Sequence, residues 1–175
     1  QTRGWFYTLH VISTIVFNSI SYKNVISNGL VLDKNGQKMS KRLGNSIDPF
    51  EVISKYGPDA TRWYMISNSN PWDNLKFDIK GVDEVSRKFF GTLFNTYSFL
   101  VIYANIDDFD INENIIPITK RPEIDRWIIS ELNRLIKEVD KAFGEYDATK
   151  AARNISAFVN DLLSNWYVRL SRRRF

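Results

Sequence analysis

The sequence predicts a mostly helical chain in two parts, a mixed α/β part up to Asn74 and an all-α bundle from Leu75 onward. Three observations predict it. A β-type run from Asn24 to Leu32 precedes two short, well-punctuated helical segments. A turn-rich stretch, Asn68-Ser69-Asn70-Pro71-Trp72-Asp73-Asn74, then breaks the pattern. Beyond it, apolar residues recur at three-and-four spacing through three long segments.

Taken in order, Trp5 to Phe17 is apolar and reads as a helix ending at Asn18 and Ser19. The run Asn24-Val25-Ile26-Ser27-Asn28-Gly29-Leu30-Val31-Leu32 reads as a strand, and Asp33-Lys34-Asn35-Gly36 as a tight turn, because Asn, Asp and Gly tolerate positive φ. The basic run Lys38-Met39-Ser40-Lys41-Arg42 therefore falls on an exposed loop. Asp48 suits an N-cap, Pro49 the first helical position, and Glu51 the return half of a capping box. Gly57 and Pro58 stop that helix, and Asp59 to Ser67 forms the next.

In the second part, Val82, Val85, Phe89, Phe90, Leu93, Phe94, Tyr97, Leu100 and Val101 mark the core face of the first long helix. A second helix after Pro122 presents Trp127, Ile128, Leu132, Leu135, Ile136, Val139 and Phe143. A third, capped by Asp147, presents Ile155, Phe158, Val159, Leu162, Leu163, Trp166, Tyr167 and Leu170. Three such faces can bury one another as a bundle. The stretch from Ile106 to Arg121 reads as a connecting loop.

An apolar share of 43% with 14% aromatic residues supports a core and argues against disorder. The chain has no cysteine, which excludes disulfides and thiolate metal sites. His10 is the only histidine, which excludes a histidine-based zinc site and a Ser-His-Asp triad. It sits in an apolar helix and reads as a packed or capped residue rather than a catalytic one. No apolar run approaches the roughly 20 residues of a membrane span, so a cytoplasmic context is the default expectation. Net charge is +4, and the whole excess lies in the last stretch, where Arg153, Arg169, Arg172, Arg173 and Arg174 face Asp161 alone. Such a terminus suits a polyanion, or a solvated helix end whose cations complement its dipole.

Lys38 and Lys41, three apart after a strand and turn, offer point charges to a triphosphate. A lysine that meets the leaving pyrophosphate only as charge develops on it lowers the barrier selectively. The P-loop pattern and the kinase glycine-rich loop are both missing. By charge alone, an ordinary solvated loop is the simpler reading.

The order of the flanking motifs says more. Lys38 to Arg42 closely resembles the Lys-Met-Ser-Lys-Ser signature of class I aminoacyl-tRNA synthetases, with Arg42 in place of the last serine. Gly44-Asn45, Asp48-Pro49, Tyr56-Gly57-Pro58-Asp59-Ala60 and Arg62 follow in the family's sequence. The opening Gln1-Thr2-Arg3-Gly4-Trp5-Phe6, then Lys23-Asn24-Val25, Asn28-Gly29-Leu30-Val31 and the ending from Asn165 to Phe175, resemble the isoleucyl type. The valyl and leucyl types share fold and loop but differ in these flanks. The resemblance spans essentially the whole chain.

It implies the C-terminal part of a Rossmann-type catalytic domain over 1–74, then the N-terminal part of a helical anticodon-binding domain over 75–175. It further implies a monomeric, cytoplasmic parent enzyme that activates isoleucine with ATP and Mg2+ and transfers it from the adenylate to tRNA(Ile). Lys41 is the first choice for a catalytic residue and Lys38 for a second phosphate contact. Gln1 is placed by the resemblance beside the adenylate ribose. Asn28, Gly29 and Val31 are placed along the adenine, with Met39 and Ser40 in the same ATP site. Arg169, Arg172 and Arg173 are placed on the tRNA backbone, Asp59 and Arg62 support the fold locally, and no metal site falls within the chain.

Nothing matches the family's first signature, His-Ile-Gly-His or close to it, and the inserted editing domain is missing too. The chain therefore reads as an internal piece that forms no adenylate alone. The alternatives are a stand-alone helical RNA-binding module or the valyl member of the class.

Overall fold

The computed structural model describes residues 3–110, 112 and 116–174. Helix α1 (Trp5–Phe17) forms as expected and ends where Asn18, at φ 48°, donates its N–H to the Thr14 carbonyl. None of its residues is buried. His10 is exposed, its ring 6.2 Å from that of Tyr22, rather than packed in a core.

The expected strand shrinks to two residues. Strand β1 (Val31–Leu32) pairs in parallel with β2 (Leu75–Lys76), Val31 opposite Leu75 and Leu32 opposite Lys76. Ahead of β1 the chain runs beside a turn rather than a strand, so ladder bonds give way to single ties. The Gly29 N–H donates to the Pro71 carbonyl at 2.7 Å and the Leu30 N–H to Asn74 Oδ1 at 2.9 Å.

Helix α2 (Pro49–Tyr56) is capped by Asp48, whose Oδ1 accepts the Phe50 N–H at 2.8 Å. This cap replaces the reciprocal box expected with Glu51. Gly57, at φ 83°, turns the chain directly into α3 (Pro58–Asn68). The first core unites Val52, Ala60, Tyr64, Leu75, Phe77 and Val82, with Met39 and Ile47 packed on it. Tyr64 is its polar hub. Its hydroxyl donates to the Lys76 carbonyl at 3.0 Å and accepts from the Asp78 N–H and Asn68 Nδ2. Burial raises its pKa. Gly81 lies beneath the ring, and a Cβ there would come within 2.4 Å of Tyr64 Cε2.

Three long helices follow: α4 (Ile79–Ile106), α5 (Glu123–Gly144) and α6 (residues 148–171). Asp147 caps α6 through the Lys150 N–H. Phe89, Ile128, Phe158 and Val159 form the second core. Phe90 packs against both cores, and Trp63 of α3 joins the second, stacking on Phe89 at 4.4 Å and donating Nε1 to Ser156 Oγ at 3.1 Å.

Three expected faces are corrected. Phe94, Tyr97 and Leu100 of α4 are exposed, as are Leu132, Ile136 and Phe143 of α5 and Trp166 and Leu170 of α6. In α6 the turns widen to π type over Phe158–Val168. An i→i+5 pattern takes more residues per turn than the usual ~3.6, so a face set by Ala151 and Phe158 drifts away from the core. A shorter π stretch, Ser86–Phe90, interrupts α4 in the same way. By length and composition α4 is also apolar enough to cross a membrane, contrary to the sequence expectation. Its Phe89 and Phe90 nevertheless pack into the second core.

Val82 is fully buried. Val82→Ala should therefore cost about 2 kcal/mol in urea unfolding, and exposed Phe94→Ala under about 0.5 kcal/mol. Equal losses at both positions would contradict this division of the helix.

Candidate nucleotide groove and signature loop

The loop that carries the lysines is held from inside by one carboxylate. Asp33 closes its turn: Gly36, at φ 83°, donates to the Asp33 carbonyl, and Leu32 bridges antiparallel to Lys38. The Asp33 side chain is buried and accepts three hydrogen bonds, from the Asn35 and Gln37 N–H groups on Oδ1 and from Asn45 Nδ2 on Oδ2. Asn45 continues the link. Its Oδ1 accepts the Ser40 N–H at 2.9 Å, and its Nδ2 also reaches the Lys38 carbonyl at 3.3 Å. Ser40 then caps a single 3-10 turn, Lys41–Leu43, accepting the Arg42 N–H, and Gly44 closes that turn at φ 65°.

The outcome is an alternation. Met39 points down onto the first core, while Lys38, Lys41 and Arg42 are exposed. The hydrogen bonds from Asn45 and the turn amides hold the Asp33 carboxyl below the usual carboxylate range. In the sequence Asp33 reads as a turn residue and Asn45 as part of a motif; their pairing across twelve residues leaves no local signal.

Beside the loop runs a groove of about 400 Å³ lined by Asn28, Gly29 and Val31 on one side and by Met65, Ser69 and Asp73 on the other. An apolar cavity of about 270 Å³ adjoins it, sharing Val31 and Met65 and adding Met39 and Thr61. Three of the residues nominated for adenine thus meet in one groove, with Met39 next to it. Gly29 is required by close approach, because a Cβ there would lie 2.1 Å from the Asp73 carbonyl oxygen. Gln1 lies outside the described residues.

The arginines divide. Arg174 forks onto Asp125 at 2.6 and 2.7 Å, and the Tyr167 hydroxyl donates to the same carboxylate at 3.0 Å. The guanidinium holds Asp125 below the usual range, and burial pushes the Tyr167 hydroxyl up. Arg169, Arg172 and Arg173 remain exposed.

Comparison with known proteins follows this layout. Residues 1–78 match the family model of class I tRNA synthetases (I, L, M and V), and residues 125–175 match that of the anticodon-binding domain of tRNA ligase. The chain is thus similar, over its first 78 residues, to the class I tRNA synthetases. It is 69% identical to an isoleucine–tRNA ligase of Bacteroides fragilis, 70% to that of Bacteroides thetaiotaomicron and 48% to that of Thermus thermophilus, over all 175 residues each time. It spans 15% of the length of the two Bacteroides relatives and 17% of the Thermus one. Among solved structures it is similar in fold to a LeuRS from Agrobacterium radiobacter K84, crystallised in a ternary complex with tRNA and LeuAMS. That likeness has a TM-score of 0.67 at 20% identity and covers 97% of this chain and 21% of the other.

In this chain, Asp33 has a lower pKa folded than unfolded. Its stabilisation is therefore present above the ordinary carboxylate range and is lost as pH falls through the depressed folded value. In an NMR titration the Gln37 amide should shift with a midpoint below that of an unfolded aspartate, and Asn45→Ala should move the midpoint up. An unchanged midpoint in that variant would contradict the role given to Asn45.

Proposed function

We propose that the protein to which this chain belongs joins isoleucine to tRNA(Ile) through an adenylate made from ATP. The chain supplies the adenine side of the ATP site and two phosphate-facing lysines. The observation that carries this is the groove of Asn28, Gly29 and Val31, linked through the cavity that Val31 and Met39 share to the loop on which Lys38 and Lys41 are exposed. The names of relatives matched over the whole of this chain support the choice of isoleucine.

In this reading Lys41 is catalytic and Lys38 is a second phosphate contact. As the isoleucine carboxylate attacks the α-phosphorus, the bond to pyrophosphate breaks and negative charge moves onto the leaving group. An exposed ammonium on a pre-formed turn stabilises that charge more than the ground state. The groove holds adenine against the Gly29 and Val31 backbone, Met39 and Ser40 lend the loop's backbone, and Gln1 completes the ribose side. Among the described residues, no three acidic or histidine side chains gather to hold a metal. We take Mg2+ to enter with the ATP phosphates.

The segment 1–74 is read as the C-terminal part of a Rossmann-type catalytic domain, and 75–175 as the start of a helical anticodon-binding domain. Support comes from parallel β1 and β2 joined through α2 and α3. Leu75 and Phe77 pack back into the first core, so the two parts share that seam. Exposed Arg169, Arg172 and Arg173 suit tRNA phosphates. A cytoplasmic monomer completes the proposal. The stand-alone RNA-binding module accounts for the arginines but leaves the match over 1–78 unexplained.

In the full-length enzyme, Lys41→Ala should lower the rate of isoleucine-dependent pyrophosphate exchange by about 100-fold with isoleucine affinity nearly unchanged. A matching loss of isoleucine binding would count against a transition-state role. The 175-residue chain alone should show no exchange. Changing Arg169, Arg172 and Arg173 together to Gln should weaken tRNA binding and flatten its salt dependence by up to about one slope unit per lost phosphate contact. An unaltered salt slope would remove these residues from the interface.

A further inference from the structure

The groove's far wall is held by the helical part. Helix α3 ends at Asn68, and its cap, Ser69, is extended, so the last carbonyls need outside donors. Arg153 of α6 supplies them. Its Nε donates to the Ser67 carbonyl at 2.8 Å and its Nη2 to the Asn68 carbonyl at 2.9 Å. A cation at a helix C-terminus also meets the negative end of the dipole. Thr149, one turn earlier on α6 and 1% exposed, donates Oγ1 to the next carbonyl, Ser69, at 3.1 Å. Three consecutive carbonyls, at 67, 68 and 69, are thus gripped from one helix.

The gripped strand of backbone leads straight to the groove. Ser69, Asn70, Pro71 and Asp73 form its wall, and two residues of this stretch accept from the opposite side. The Pro71 carbonyl takes the Gly29 N–H, and Asn74 Oδ1 takes the Leu30 N–H. The segment 67–74 therefore lies between α6 and the Asn28–Val31 run, bonded to both. Gly29 already touches the Asp73 backbone, so there is no slack to absorb a shift.

We propose that Arg153, with Thr149 behind it, is a positioning residue for the nucleotide groove. From α6 it sets how the 69–74 turn faces Gly29 and Val31, and so how well the groove fits an adenine ring. This rests on the reading of Asn28–Val31 as the adenine side. It also makes α6, a helix of the segment matched to the anticodon-binding domain, part of the machinery that holds ATP.

The test uses the full-length enzyme in isoleucine-dependent pyrophosphate exchange, with thermal midpoints measured alongside. Arg153→Ala should raise the ATP KM about fivefold while leaving the isoleucine KM within about twofold, the scale of one or two lost hydrogen bonds. Arg153→Lys should recover part of the loss, and Thr149→Val should raise the ATP KM about twofold. These conservative variants keep the test readable if Arg153→Ala does not fold. Asn28→Ala reports on the underlying reading. An ATP KM raised by Asn28→Ala but unmoved by all three α6 variants would overturn the positioning role while the nucleotide reading stands. Both KM values rising together with a fallen midpoint would reduce Arg153 to a general fold contact and overturn the proposal. An ATP KM untouched by Asn28→Ala and by the α6 variants alike would remove the adenine reading, and the proposal with it.

Discussion

The backbone of Gly29 lies so close to that of Asp73 that no side chain fits between them. That approach brings an extended run and a turn together from positions more than forty residues apart in the chain, and the surrounding structure follows from it. Two residues on, Val31 and Leu32 can pair with Leu75 and Lys76. The paired strands place Leu75 and Phe77 in the first core, where the Tyr64 hydroxyl binds the Lys76 carbonyl and the Asp78 amide. The groove is what remains between the two backbones once they are held in this way.

Charge is used in two different ways. Asp33 is turned inward and spends its lone pairs on backbone amides and Asn45, so the loop is shaped without using a lysine as counter-ion. Lys38 and Lys41 are consequently left facing solvent. At the other end, Asp125 takes Arg174 in a fork and leaves Arg169, Arg172 and Arg173 outward. In both places one buried or half-buried carboxylate organises its surroundings, backbone amides at Asp33 and side chains at Asp125, and the neighbouring cations remain available to a polyanion.

Much of the local structure was legible in particular residues. Asp48 before Pro49, Gly57 before Pro58, and Asp147 before Ala148 each act where a cap or stop belongs, because these residues satisfy or forgo backbone bonds within a few positions. The expected capping box with Glu51 did not form: the Asp48 carboxylate takes the Phe50 amide instead of that of Glu51. Strand β2 carried no signal of its own. Two residues make no period, and its pairing with β1 depends on a partner far along the chain. The exposed Trp166 and Leu170 escaped prediction because a 3.6-residue rule cannot see where a helix widens.

For the candidate site, the sequence by itself determined the signature loop, the glycine beside the groove and the basic last helix, since each is written in adjacent residues. Short-range chemistry of that kind needs no neighbours to be read. Only the tertiary structure decided that Asp33 and Asn45 clamp the loop, that Arg174 is tied down while three other arginines are not, and that Arg153 reaches back to the end of α3. Each of these depends on hydrogen bonds between residues twelve to eighty-six positions apart, whose geometry exists only once two cores have formed and met at Phe90.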